Sequence, residues 1–479
     1  MDDLSRGMLN SSGLLYLSAR AISAAGNLLA VAIFSRLAGP AEYGHYVLIF
    51  AWSLIVYGFG AQWMRFAYFG VYHLQRFDEY AASLARLLAC GLVTVALVLG
   101  ALGVLGLFEP GFLIAMFALI CGMTVYEAAF EVTRTLLKAR RSALAMALRT
   151  VLMIAFGSAS LALGGGARGL AYAIALAHLT AAAPLLAGFT GVRLSHGTRT
   201  ASLRMLSYGW PLLLSFGISA AGQSIDRVLI GHYLGEAALG PYGVVADLLR
   251  QSFTVFGEVI ALSLITIAKQ HANDADANAA DSVLRKAFNA CLATATFGSA
   301  FFVVFGDVVL RLLLKPEFVA PTRDLVPFFA VAFAFTTMRN YYFAQVIYFS
   351  RASYLELVVS LLVLFTSSTL TLLLLRPYGL TGAAIALMTA SIVSCLAFVV
   401  LGRRWYRMPI DVPALVAMPA LAAAFILSAR AVATLIPNSS GALVIDAFAF
   451  ALAAGLAIRR FDLLSVMQSD PHGRQVLAR

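Results

Sequence analysis

The sequence predicts an all-α membrane protein with about 14 transmembrane helices, in two parallel-repeat six-helix bundles plus two C-terminal helices. Three observations lead to this fold class: the composition, an unbroken succession of apolar runs, and an internal repeat. The 479 residues are 61% hydrophobic and only 12% charged, and the mean hydropathy is +0.87. A soluble protein of this size needs a polar surface, so this composition indicates that lipid is the solvent.

Apolar runs near the roughly 20-residue length that crosses a bilayer follow one another along the chain. Backbone polar groups in hydrocarbon must pair within one segment or in a closed barrel, and continuous runs favour helices. Little of the chain remains outside these runs, so we expect no soluble catalytic domain and no enzyme activity. The predicted spans are 14–35, 44–64, 84–107, 111–134, 142–163, 168–190, 206–230, 239–268, 284–314, 324–348, 353–375, 378–401, 412–430 and 441–458.

An internal repeat relates the two halves of the chain. Residues 11–46 and 207–242 are identical at 12 of 36 ungapped positions, and the loop residue Gly44 matches Gly240 at an offset of 196. Later in each half the offset becomes 210. Two bundles in the same orientation predict pseudo-twofold symmetry about the membrane normal with a central cavity, which suits alternating access. The predicted divisions are a bundle at 1–205, its equivalent at 206–402, and helices 13 and 14 with a cytoplasmic tail at 403–479.

The positive charge is concentrated in particular connections. The net charge is +11, and 20 of the 34 lysines and arginines fall in the even-numbered connections and the two termini. By the positive-inside rule both termini are cytoplasmic, so the basic excess is a topology signal and no nucleic-acid partner is expected. The acidic Asp2 and Asp3 argue against a removed signal peptide. The four cysteines lie singly in apolar runs, and no cofactor or metal motif is present.

Polar side chains recur at helical spacing inside several predicted spans. Charges in hydrocarbon normally face a bundle interior or water, and the span at 239–268 is polar on one face over three turns. Arginine predominates among these charges, and its planar guanidinium binds phosphate bidentately, which suits an anionic cargo. Two alternatives remain open. Arg65 and Arg134 could snorkel from span ends, and Asp247 with Arg250, like Glu131 with Arg134, could be neutralising pairs at i, i+3.

Several segments resemble the polysaccharide-exporter (Wzx-type) flippases of the multidrug/oligosaccharidyl-lipid/polysaccharide (MOP) exporter superfamily. The resemblance covers roughly residues 5–400, and one of its elements is an Asp-Arg pair that matches Asp226-Arg227. The first span has no counterpart acid, because Ala30 and Val31 occupy the equivalent positions. The similar elements are SRLAGPAEYGHYVL at 35–48, YGWPLLLS at 208–215, SIDRVLIGHYLGEAALGPYGV at 224–244, RGLAYAIAL at 168–176 and GLTGAAIAL at 379–387.

The resemblance implies a multi-pass protein of the bacterial inner membrane, coupled to ions. It would move an undecaprenyl-pyrophosphate-linked oligosaccharide from the cytoplasmic to the periplasmic leaflet for O-antigen, capsule or exopolysaccharide assembly. Partners would be the lipid-linked oligosaccharide and membrane lipid, with a polysaccharide polymerase and a chain-length regulator. We predict substrate contacts from Arg20, Asn27, Arg149, Arg250 and Arg339, and ion coupling by Glu127, Glu131, Asp226, Asp247 and Glu258.

Three other functions stay open from sequence alone. A lipid II flippase of the same superfamily has a similar cargo. A drug/cation antiporter should have an acidic and aromatic cavity, whereas the polar faces here are mixed to basic. A polytopic glycosyltransferase or polysaccharide polymerase should expose catalytic carboxylates in a large loop. The acidic connection at 269–283 (KQHANDADANAADSV) instead predicts a solvated linker.

Overall fold

A computed structural model of the chain describes residues 2–187, 189, 191–273, 277–350, 352, 354–436 and 440–463. Within these ranges every element is helical and there is no strand. Ten of the described helices are long and apolar enough to cross a membrane. The predicted class, an all-α multi-pass membrane protein, is therefore confirmed. The count of about 14 spans and the repeat layout remain predictions.

The elements follow the apolar runs of the sequence in order. The first part of the chain contains α1 (Asp2–Leu37), α2 (Pro40–Tyr57), α3 (Trp63–Val71), α4 (Phe77–Val104), α5 (Pro110–Thr135), α6 (Ala139–Ala162) and α7 (Gly166–Leu186). The remainder contains α8 (Arg199–Tyr233), α9 (Glu236–Ile260), α10 (Thr266–Asn273), α11 (Ala277–Leu313), α12 (Pro316–Val319), α13 (Val326–Tyr341), α14 (Val346–Phe349), α15 (Tyr354–Gly402), α16 (Val412–Leu435) and α17 (Ser440–Arg460).

Helix ends occur where the sequence places caps and glycines. Proline opens both α2 and α5, at the position where a missing N–H costs nothing. The Asp411 carboxylate accepts from the Ala414 N–H at 3.3 Å and caps α16. Gly379, at φ 56°, divides α15 into two helices. A Cβ at Gly382 would lie 2.1 Å from the Leu374 carbonyl oxygen, so this turn is too tight for a side chain there.

Two spans contain a π-helical turn. Gly58–Gln62 joins α2 to α3, and Ala261–Ile265 joins α9 to α10. A π turn adds a residue to the helical turn and often marks a kink or a functional position. The two turns begin 203 residues apart, between the offsets of 196 and 210 at which the two halves of the sequence match.

Two compact units divide the chain. The first contains the chain up to Gln251 together with Arg311–Thr322 and Glu356–Leu387. Within it α6 packs against α1 and α7, α5 packs against α7, and α2 and α3 pack along α8. The second contains Ser252–Leu310, Arg323–Leu355 and the chain from Met388. Its core includes a cluster of phenylalanines, Phe301, Phe305, Phe425 and Phe450. The divisions 1–205, 206–402 and 403–479 remain predictions.

Two predicted segments differ from the structure. The linker expected at 269–283 is helical where it is described, since α10 runs to Asn273 and α11 begins at Ala277, while 274–276 lie outside the described residues. Its many alanines are strong helix formers, which outweighs the solubilising acids. The span at 324–348 is not one helix: α13 ends at Tyr341 and a short turn leads into α14.

Candidate functional site

Eight of the ten predicted site residues lie in the first unit and two in the second. Those in the second unit are Glu258 and Arg339. The structure brings most of the first group into two charged clusters. The members in the first unit are Arg20, Asn27, Glu127, Glu131, Arg149, Asp226, Asp247 and Arg250.

The first cluster is built around Glu127 of α5. Arg65 of α3 donates to its carboxylate and is only 16% exposed. Snorkelling is therefore wrong for Arg65, which lies inside the bundle as the partner of a predicted coupling residue. In the sequence, the position of Arg65 within an apolar run is the feature that indicates a functional arginine. The pairing itself joins residues 62 apart in sequence, so no local spacing could show it.

Arg149 of α6 completes this first cluster and interacts electrostatically with Glu127 without forming an ion pair with it. Its Nη2 donates to the Ser23 hydroxyl at 3.3 Å, and its guanidinium lies 5.3 Å from the centre of the Tyr126 ring. No carboxylate forms an ion pair with Arg149 among the described residues, and its Nε–H is buried with no hydrogen-bond acceptor. A guanidinium in this state keeps donors available for an anion.

Small and hydroxyl side chains position Arg149. The Ser23 and Thr150 hydroxyls lie 2.8 Å apart, and Thr150 also donates to the Met146 carbonyl at 3.0 Å. Gly26 allows α1 to approach α6, because a Cβ there would lie 2.1 Å from Thr150 Cγ2. The His178 and Tyr126 rings are perpendicular, and their centres lie 5.6 Å apart. Neither Thr150 nor His178 was predicted as a site residue, because a single hydroxyl or histidine in an apolar helix does not distinguish a functional position from a structural one.

Glu131 and Arg134 form the neutralising pair that their spacing allowed. The carboxylate and Arg134 Nη2 lie 2.5 Å apart, and Glu131 is buried. The Arg134 guanidinium also lies 5.0 Å from the centre of the Phe69 ring. This geometry accounts for a buried acid without invoking transport, so ion coupling by Glu131 rests on its sequence position alone.

The second cluster centres on Asp247 of α9. Its Oδ1 accepts from Arg227 of α8 at 2.5 Å and from Arg250 at 2.8 Å. Arg227 is almost wholly buried, whereas Arg250 is about one-third exposed at 34%. One carboxylate thus holds two guanidiniums. Of the pair, Arg250 has the exposure needed to meet a ligand.

Asp226 and Arg227 do not pair with each other. Consecutive helical residues project roughly 100° apart, and Asp226 instead accepts from the Tyr242 hydroxyl at 2.8 Å. Its second carboxylate oxygen is buried without a hydrogen bond. Tyr242 is one of the repeat-matched residues, but its contact with Asp226 was not expected from sequence.

The remaining predicted residues have less defined surroundings. Arg20 and Asn27 are half-buried on α1. In the second unit Glu258 is half-buried, and the Arg339 guanidinium lies 5.4 Å from the centre of the Phe398 ring.

Two repeat-matched glycines touch where α2 crosses α9. A Cβ at Gly44 would lie 1.9 Å from the Glu236 carbonyl oxygen, and a Cβ at Gly240 would lie 2.0 Å from the Pro40 carbonyl oxygen. We call this contact the glycine crossing. His45 Nδ1 lies 2.5 Å from a Glu236 carboxylate oxygen beside it. The contact is reciprocal, since Pro40 and Glu236 are also 196 residues apart.

The same span stays in contact with α8 farther along. The Phe66 and Phe216 rings stack at 4.5 Å, and a Cβ at Gly209 would lie 2.5 Å from the Trp63 ring. A Cβ at Gly217 would overlap the Phe59 ring at 2.2 Å. The α2–α3 span is therefore closed against α9 at one end and against α8 at the other.

The fold and these buried charges define a polytopic helical membrane protein with the fold of the MOP-superfamily transporters. A lipid II flippase (MurJ, inward closed conformation) superposes with a TM-score of 0.71 at 13% identity, covering 94% of this chain and all of that one. A MATE-family multidrug resistance transporter of the MOP superfamily, in an inward-facing conformation, gives 0.63 at 15% identity over 82% of this chain and 97% of that one. An outward-facing structure of a MATE-family multidrug resistance transporter gives a TM-score of 0.53 at 18% identity, covering 82% of this chain and 93% of that one.

These likenesses concern the fold. No family model matches the sequence, and no curated protein matches it. The solved structures named above are all transporters, and this chain shares their fold.

Proposed function

We propose that the protein is a transporter that flips an undecaprenyl-pyrophosphate-linked oligosaccharide from the cytoplasmic to the periplasmic leaflet by alternating access. The observation that carries this proposal is Arg149. Its guanidinium lies inside the bundle with a ring and a hydroxyl as partners, and it forms no ion pair with a carboxylate among the described residues. A partly buried cation whose nearby carboxylate, Glu127, is already paired with Arg65 favours an anionic ligand, and the fork of guanidinium donors matches phosphate.

Arg250 supports the same interpretation. It shares Asp247 with the buried Arg227, so two guanidiniums face one carboxylate, and Arg250 is the more exposed of the two. The first cluster, in which Arg65 and Arg149 lie near Glu127, thus has positive charge left over for an anion, whereas in the second cluster Arg227 and Arg250 are balanced by Asp247 and Asp226. A carrier of cationic drugs needs the opposite balance, with acids in excess of bases.

Alternating access draws support from the closed α2–α3 span. Release to either side requires one end of this span to part from α8 and α9. The glycine crossing lies at one end and the stacked Phe66 and Phe216 at the other. The π turn Gly58–Gln62 lies between them, where the helix can bend with least loss of hydrogen bonding.

The deciding experiment is complementation of a strain that lacks its own polysaccharide flippase. Wild-type protein should restore surface polymer, and Arg149→Gln should lower export roughly tenfold or more, the effect of one charge-assisted hydrogen bond. Arg149→Lys should recover only part of the activity, because an ammonium keeps the charge without the fork. Arg430→Gln, which neutralises an exposed arginine of α16, is the matched control.

Full export by Arg149→Gln at normal abundance would remove Arg149 from the substrate site. Protection of cells against cationic dyes, without rescue of surface polymer, would instead identify a drug antiporter.

Lipid II is the second candidate cargo, and one observation favours it. The lipid II flippase covers 94% of this chain, whereas the multidrug transporters cover 82%. Rescue of a strain depleted of its lipid II flippase, with no rescue of surface polymer, would select this cargo. Both cargoes carry a pyrophosphate on a polyprenyl chain, so the role of Arg149 is the same in each. Partnership with a polymerase or a chain-length regulator, placement in the inner membrane and cytoplasmic termini belong to the same proposal.

A further inference from the structure

A band of aromatic side chains surrounds the connection between α15 and α16. The Trp405 indole N–H donates to the Tyr354 hydroxyl at 3.1 Å, and the two rings meet edge to face at 6.0 Å. The next residue, Tyr406, stacks on Phe349 at 5.0 Å. Trp405 and Tyr354 are each about half exposed, at 50% and 51%. Tryptophan and tyrosine in this state are typical of the membrane–water interface, where the ring is in apolar surroundings and the polar tip is wet.

Cations lie along the same band. The Lys269 ammonium is 5.3 Å from the centre of the Tyr348 ring, which is itself exposed. Arg403, Arg404 and Arg407 flank Trp405 in a short turn after the helix, and all three are exposed. We call this surface the aromatic–basic rim. It consists of Lys269, Tyr348, Tyr354, Arg403, Arg404, Trp405 and Arg407.

The three arginines of the rim have no acidic partners. No ion pair joins Arg403, Arg404 or Arg407 to a carboxylate in the part of the chain that the structure describes. The neighbouring Asp281 is already engaged by the Tyr406 hydroxyl. Burial, and then this carboxylate, raise the pKa of Tyr406, which keeps the phenol protonated as a donor. The rim therefore retains a net positive charge beside rings that are half exposed, as is typical of a membrane interface.

We propose that the aromatic–basic rim binds the phosphate headgroup of an anionic phospholipid, with Arg403, Arg404 and Arg407 on the phosphate and Trp405 and Tyr354 at the level of the glycerol. Each arginine near an anionic surface contributes about 1 kcal/mol, which corresponds to about fivefold in affinity. The rim lies wholly in the second unit and shares no residue with either charged cluster. The inference therefore does not depend on the transported cargo.

The test measures the apparent Kd of the full-length, delipidated protein for phosphatidylglycerol and for phosphatidylcholine, by native mass spectrometry. Arg403→Gln/Arg404→Gln/Arg407→Gln should weaken phosphatidylglycerol binding by at least the fivefold expected of one arginine and leave phosphatidylcholine unchanged. Trp405→Ala keeps every charge and should weaken phosphatidylglycerol binding as well, because the indole holds the headgroup at the interface.

The matched control is Lys138→Gln/Arg140→Gln/Arg141→Gln, which removes three exposed charges from the N-terminal end of α6. It should leave the Kd for phosphatidylglycerol unchanged. Equal weakening by both triple variants would show that net charge alone acts, and would overturn the proposal. The proposal would also be overturned if the rim variant or Trp405→Ala bound phosphatidylglycerol with unchanged Kd. Displacement of the lipid by an equal concentration of glycerol 1-phosphate would overturn it as well. Unchanged thermal melting of each variant shows that it remains folded.

Discussion

Alanine at Gly44 should force the glycine crossing apart. The added Cβ would lie 1.9 Å from the Glu236 carbonyl oxygen, and ordinary contact begins at 3.4 Å. The obstacle is backbone, which cannot rotate away, so α2 and α9 must separate by about 1.5 Å. Overpacking of this kind costs about 1–3 kcal/mol, equivalent to roughly a 5- to 150-fold change in the closed population.

Val47 supplies a probe of that opening. It is 2% exposed and faces α9, because a Cβ at Gly243 would lie 3.0 Å from its side chain. In a chain whose four native cysteines are replaced by alanine, Val47→Cys should react slowly with a membrane-impermeant maleimide. Adding Gly44→Ala should speed the reaction and slow transport.

Gly39→Ala is the matched control, since a Cβ there has nothing within 4 Å and the backbone is extended. Slow labelling with normal transport in Gly44→Ala would refute the reasoning. So would equal effects of the two alanine variants, because that result would assign the change to glycine chemistry in general rather than to the crossing.

Two further substitutions test the second cluster through stability. Tyr242→Phe removes the hydroxyl that donates to Asp226 and should destabilise the protein by about 1–3 kcal/mol, read from thermal melting in detergent. Unchanged melting would mean that this hydrogen bond is not formed. Asp247→Ala leaves the buried Arg227 without its carboxylate and should cost about 3–5 kcal/mol. Glu109→Ala, from an exposed pair with Arg168, should cost less than about 1 kcal/mol, and an equal loss in the two variants would contradict the assigned burial.

Composition and local spacing predicted the parts of the structure that depend on one helix at a time. The helical membrane fold follows from hydropathy, and the pairs of Glu131 with Arg134 and of Asp247 with Arg250 follow from i, i+3 spacing. Contacts between helices could not be obtained in this way. Arg65 meets Glu127 only because α3 packs against α5.

Adjacency in sequence does not show which partners two residues have. Asp226 and Arg227 are consecutive, yet the helix points them to different partners on α9, Tyr242 and Asp247. Glu258 and Arg339 share a polar pattern with the clustered residues but fall in the other compact unit. A polar face marks which side of a helix avoids lipid, and the partner is chosen by the tertiary packing.

The glycine crossing also bears on how the chain arose. Gly44 contacts the Glu236 carbonyl while Gly240 contacts the Pro40 carbonyl, which in a homodimer would be an isologous interface lying on a twofold axis. The predicted repeat implies that, in a half-length ancestral subunit, one glycine would have served both sides of that interface. In a single chain the two positions can change independently, yet each is limited by the backbone of the other. A side chain gained at either glycine is therefore tolerated only if the opposing helix shifts with it.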